Sequence, residues 1–135
     1  MRREFVLDGS KFHDMEGFYC EIDRLFTKNL GWKTGHNLDA FNDILRGGFG
    51  VHKCGEPVRI IWKNFASSRE NFGYGATARY YENMLTTCHP ANTDLVQSKL
   101  TAAKNGIGET LLDMLVGIIT DTDDSGHDCE LVTVD

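Results

Sequence analysis

No apolar run in this 135-residue chain approaches the ~18 residues of a membrane-spanning helix, so no membrane contact is expected. The opening Met1-Arg2-Arg3-Glu4 leads into an apolar stretch of only three residues. That is too short for a secretory signal and predicts a cytoplasmic protein. Basic charge is scarce: 14 Lys and Arg stand against 20 Asp and Glu, a formal net charge of −6. Direct nucleic-acid binding needs a basic stripe to displace counterions, so the balance speaks against it and favours a basic partner. Cysteine pairing is also missing. Cys20, Cys54, Cys88 and Cys129 lie far apart with no CxxC spacing, which predicts reduced thiols rather than disulfides. Cys88-His89 and His127-Asp128-Cys129 lack the two close ligand pairs of a structural zinc site, so no metal is expected. There is no GxSxG, no HExxH and no glycine-rich phosphate loop, and neither a catalytic residue nor a cofactor is predicted. Gly47-Gly48-Phe49-Gly50 follows a helical pattern rather than opening one after a strand, and reads as a flexible connection.

What the chain does have is a clear alternation of short β-rich runs and helical patterns. Glu4-Phe5-Val6-Leu7 before Asp8-Gly9 predicts a strand and a turn. Met15, Phe18, Ile22, Leu25 and Phe26 recur at steps of three and four, one face of a helix, with Asp14 as N-cap and Asn29 to Gly31 as its stop. A second helix is expected over 37–46, ended by Gly47-Gly48. Val58-Arg59-Ile60-Ile61-Trp62 is nearly continuous, as in a strand covered on both faces. Asn64 is placed as the cap of a brief turn through Ser68, and Gly73-Tyr74-Gly75 as a loop before a helical stretch over 77–87. Asn92-Thr93-Asp94 opens a helix stopped by Asn105-Gly106. Ile107, Leu111, Met114, Leu115 and Ile118 mark a strongly apolar last helix, and Leu131-Val132-Thr133-Val134 closes the chain as a strand. Strands separated by helices, without hairpin signals, imply parallel pairing through helical crossovers. The expectation is a two-layer α/β domain around a small three-stranded parallel sheet.

The segment 37–46 carries the functional argument. Leu38, Phe41, Ile44 and Leu45 fall on one helical face and should bury. Asp39, Asn42, Asp43 and Arg46 recur at i, i+3, i+4 and i+7 and line the opposite face. Asp39 lies in the first turn, where the helix dipole favours an anion. Asp43 gains little from the dipole and sits at the unfavourable like-charge spacing from Asp39. Two carboxylates about 6 Å apart suit a guanidinium or a phosphate-binding pocket on a partner, whereas a solvated helix face is the plainer reading.

Asn37-Leu38-Asp39-Ala40-Phe41-x-Asp43-x-Leu45 resembles the inhibitory helix of the barstar family, the intracellular inhibitors of secreted bacterial ribonucleases. The opening strand with Asp8-Gly9, the first amphipathic helix, Ile60-Ile61-Trp62 followed by Phe65, and the final helix and strand are similar to the family in the same order. The stretch 71–104 is the exception and is expected to be an insertion on a single domain, outside the shared core. In the family, the helix and the loop before it enter the ribonuclease cleft, where acidic side chains take the place of RNA phosphates. The resemblance places Asp39 and Asp43 at the two acidic positions. Asn42 stands where the family often has tryptophan, and Trp32, Lys33 and His36 occupy a loop that is tyrosine-rich and acidic in its best-known member. These departures predict a target unlike the family's familiar ribonucleases. Asp113 is the candidate for a further acidic contact, with Glu109 a poorer one.

Other groupings have simpler readings. Asp121, Asp123, Asp124, Asp128 and Glu130 lack EF-hand spacing and read as a solvated acidic loop. Tyr74, Tyr80 and Tyr81 are explained by packing of the inserted segment, with a partner-contacting aromatic cluster as the sharper alternative. The leading expectation is an immunity protein that blocks a cognate ribonuclease toxin. A binding module of the same fold with a non-nuclease partner, or a small enzyme using a Cys/His or Asp pair, are the alternatives.

Overall fold

The computed structural model describes residues 2–27, 35–47, 50–121 and 127–135. Three strands, β1 (Arg3–Asp8), β2 (Val58–Lys63) and β3 (Cys129–Thr133), form one sheet in the order β1-β2-β3. All pairing is parallel, with Phe5 opposite Ile60 and Ile60 opposite Leu131. Six helices complete the described chain: α1 (Met15–Phe26), α2 (Leu38–Arg46), α3 (Phe65–Asn71), α4 (Tyr74–Leu85), α5 (Thr93–Lys104) and α6 (Leu111–Thr120). Parallel strands require long connections, and helices supply them.

Side chains alternate across each strand, so one sheet face collects Phe5, Leu7, Val58, Ile60, Trp62 and Cys129, all buried. The expectation that β2 is covered on both faces is corrected here. Arg59 and Ile61 are only half-buried, and Arg59 bridges its neighbours across the outer face, at 2.9 Å to Glu4 and 3.0 Å to Glu130. The apolar run arises because Ile61 is a β-branched residue on a half-open face, not because a second layer lies over it.

Over the inner face an aromatic cluster ties the layers together. The Phe18 ring of α1 lies 5.8 Å from Trp62 and 5.2 Å from Phe41 of α2, both fully buried contacts. The Trp62 indole N–H donates to Ser68 Oγ at 3.0 Å, which satisfies its one polar atom inside the core. A smaller cluster of Tyr81, Val96, Leu100 and Ala103 joins α4 to α5.

Helix ends follow local chemistry, with some differences from expectation. Asp14 caps α1 by accepting from Gly17 N, and Asn37 caps α2 by accepting from Ala40 N at 2.7 Å. α1 ends at Phe26, and the expected stop at 29–31 lies outside the described residues. Gly48 and Phe49 of the expected connection also lie outside them. Gly47 at φ +82 ends α2, and a side chain there would meet Lys53 O and the His52 ring. His52, buried, donates Nε2–H to Leu45 O at 2.9 Å, and His127 stands 3.2 Å from Ile119 O at the end of α6. The same device thus closes two helices. Asn64 does not cap through its side chain. It adopts φ +53 and donates to Asp8 Oδ1 at 2.8 Å, and α3 runs on to Asn71. Gly75 is helical rather than in a loop, because Gly73 takes the N-cap position of α4. Ile107 lies outside α6 and is 62% exposed, since Gly108 (φ +85) and the Thr110 N-cap delay the helix.

Candidate functional site

α2 is amphipathic in the plain sense that one face is pinned and the other is presented. Phe41, Ile44 and Leu45 are buried, Leu38 half-buried, and Asp39, Asp43 and Arg46 exposed. Asn42 is half-buried between the acids. The Asp43 side chain keeps 59% of its exposure, and its oxygen lies 3.6 Å from the Arg46 guanidinium, itself 44% exposed. A pair this long and this wet is weak. Asp39 lies in the first turn, and its charge, after burial, helps push the Tyr80 phenol pKa up.

His36, expected in the loop before this helix as a partner contact, is engaged within the chain. Its Nδ1 stands 2.7 Å from Glu16 Oε1 and its Nε2 2.8 Å from Asp23 Oδ2, both on α1. The ring lies against Tyr19, with centroids 5.3 Å apart and planes tilted by 26°. Glu16, Tyr19 and Asp23 were not singled out from sequence, although their spacing of i, i+3 and i+7 puts them on one helical face. Trp32 and Lys33 lie outside the described residues.

Asp113 sits in the first turn of α6. Its Oδ2 accepts from Thr110 N at 3.0 Å while Thr110 Oγ accepts from Asp113 N at 3.2 Å, a reciprocal capping box. That role accounts for an aspartate here without a partner. Glu109 precedes the same cap and is exposed.

Among the described residues no group of three or more His, Cys, Asp or Glu side chains gathers in a way that could hold a metal ion. His89 is occupied locally, accepting from Ala91 N, and the four cysteines are free. Asp123 and Asp124 lie outside the described residues. No helix there is long and apolar enough to cross a membrane.

A family model described as Barstar (barnase inhibitor) matches residues 2–105. The chain belongs to the barstar family. The matched region contains β1, α1, α2 and β2, and with them the acidic helix at the position expected from the sequence. It extends through α5, while α6 and β3, the third strand of the sheet, lie beyond it. No curated protein and no solved structure gives a match. The family is one of ribonuclease inhibitors that act by binding a protein partner, and this gives the exposed acids on α2 a functional context.

Proposed function

We propose that this chain is a cytoplasmic immunity protein that binds a cognate ribonuclease toxin and blocks its active site with α2, without turnover or cofactor of its own. One observation carries the reading: in a chain of the inhibitor family, two aspartates stand exposed on a helix whose opposite face is locked into the core. A ribonuclease cleft is cationic because it holds RNA phosphates, and Asp39 and Asp43 offer carboxylates at the spacing of one helical turn. The rigid mounting matters as much as the charge. Little conformational freedom is lost on docking when Phe41, Ile44 and Leu45 already fix the helix. The net charge of −6 speeds encounter with a basic partner.

Asn42 sits between the two acids, in the place where the family often carries tryptophan, and supports a target whose cleft differs from the familiar one. Trp32, Asn42 and the acids of α2 make up the proposed contact set, with Asp113 at its margin. Co-expression with a candidate basic ribonuclease, purification of the complex and an RNase assay test the proposal. A stoichiometric complex without RNase activity supports it. Stable capture of a protein without nuclease activity supports instead a binding module of the same fold.

A further inference from the structure

His36 is the residue immediately before the Asn37 cap of α2, and each of its ring nitrogens faces a carboxylate, Glu16 Oε1 at 2.7 Å and Asp23 Oδ2 at 2.8 Å. A carboxylate only accepts, and a neutral imidazole has one N–H to give. Both bonds therefore form together only when the ring carries two protons and a positive charge. From this geometry we propose that His36, as an imidazolium clamped between Glu16 and Asp23, is the positioning residue that fixes the start of the acidic helix α2 against α1.

The surroundings fit such a clamp. The Thr27 hydroxyl lies 3.2 Å from Asp23 Oδ1 and 3.1 Å from Asp23 O and shares its one proton between them, beside the carboxylate that receives His36 Nε2. The Tyr19 ring stacks on the imidazole, and 24% of the His36 side chain is left exposed. Among the described residues, the ionisable groups facing His36 are Glu16, Tyr19 and Asp23, all on α1. The hydrogen bond to Asp23 first, then that to Glu16, raise the His36 pKa above its ordinary value, with burial opposing. A raised pKa gives a contribution fully present below the ordinary histidine value and lost as pH rises through the folded one. The clamp thus holds while both carboxylates are ionised and the ring is charged, and releases as pH rises through a folded value above the ordinary histidine one. Because the backbone of residue 37 begins the hydrogen bonds of α2, release loosens the turn that carries Asp39. The consequence for binding rests on the inhibitor reading, whereas the clamp itself does not.

The free protein tests the clamp directly. Nitrogen-edited NMR of the His36 ring at pH 6 should show both nitrogens protonated, and protection of the Ala40 and Phe41 amides against exchange should fall several-fold between pH 6 and 9. His36→Gln should abolish this pH dependence and leave protection at the core amides of β2 unchanged. A ring with one proton at pH 6, or α2 protection that is the same at both pH values and in His36→Gln, overturns the clamp. A second arm uses the candidate basic ribonuclease of the co-expression test as the probe, with inhibition measured at the same pH values. If Asp43→Ala weakens inhibition and His36→Gln does not alter its pH profile, the clamp's link to binding fails alone. If the wild-type chain does not inhibit that ribonuclease, the inhibitor reading fails for that target and the NMR result still decides the clamp.

Discussion

Asp43→Ala is the substitution that separates binding from stability most sharply. The carboxylate is 59% exposed, and its nearest ionic partner is Arg46 at 3.6 Å. An exposed i, i+3 pair of that length is worth at most about 0.5 kcal/mol, and removing Asp43 also relieves its repulsion of Asp39 at i, i+4. Alanine is a better helix former than aspartate, which offsets part of any loss. The net change in folding stability should stay within about 0.5 kcal/mol. Binding should respond on a different scale. In a desolvated cationic cleft, truncation leaves the partner's guanidinium or ammonium unpaired, at a cost of roughly 2–5 kcal/mol. The family's own inhibitor complex is among the systems that define this range, so the magnitude is carried over. It corresponds to a rise in the inhibition constant from about 30-fold to several-thousand-fold. The assay is an inhibition titration against the cognate ribonuclease, beside urea denaturation of both proteins. If Asp43→Ala inhibits as well as the wild type, α2 is not the blocking element and the tyrosine-bearing α4 becomes the next candidate.

Asp39→Ala should cost less binding energy and slightly more stability than Asp43→Ala, because Asp39 also faces the N-terminal dipole, a contribution of about 0.3–1 kcal/mol; the same paired assays check it. Asp113→Ala should remove half of the capping box with Thr110 and destabilise the fold by about 1 kcal/mol in denaturant melts, and a loss of inhibition without a loss of stability would make it a partner contact instead. Ser68→Ala leaves the buried Trp62 indole N–H without an acceptor and should cost about 1–3 kcal/mol by the same melts. Burial first, then the neighbouring Asp128, pushes the Cys129 thiol up to about 12, so a maleimide at pH 8 should modify exposed Cys20 and Cys54 quickly and Cys129 only after unfolding, as mass spectrometry would read. We further propose that the α4–α5 pair is an elaboration of the core: excision of 74–106 should leave cooperative unfolding by circular dichroism, provided that the cut spares Phe72, which is fully buried in the main cluster.

Periodicity carried the strands, the parallel sheet and the two-layer arrangement, because alternation and helical spacing are direct consequences of burial on one face. The α2 boundaries were legible for a further reason: Asn37 and Gly47 are chemical stop signs whose side-chain bond and positive φ are local. Gly75 and Ile107 misled because both depend on their neighbours. Gly73 supplied a cap one turn earlier than Gly75 implied, and the positive φ of Gly108 displaced Ile107 from the apolar face it seemed to continue. At the candidate site, Asp39 and Asp43 could be found from a single helix. The contacts of His36 could not, since Glu16 and Asp23 are 20 and 13 residues away and meet it only when α1 and α2 pack. Asp113 looked like an unclaimed acid in the sequence, yet Thr110 three residues before it already marked the cap that engages it.

The central claim is that α2 is the surface that meets the ribonuclease, and hydrogen exchange on the purified complex tests it most directly. Amides and flanking peptides over residues 36–47 should gain strong protection on binding, while β1 and β3 peptides on the open sheet face remain as in the free chain. Protection confined to that sheet face or to α5, with residues 36–47 unchanged in a complex that still inhibits, would contradict the account.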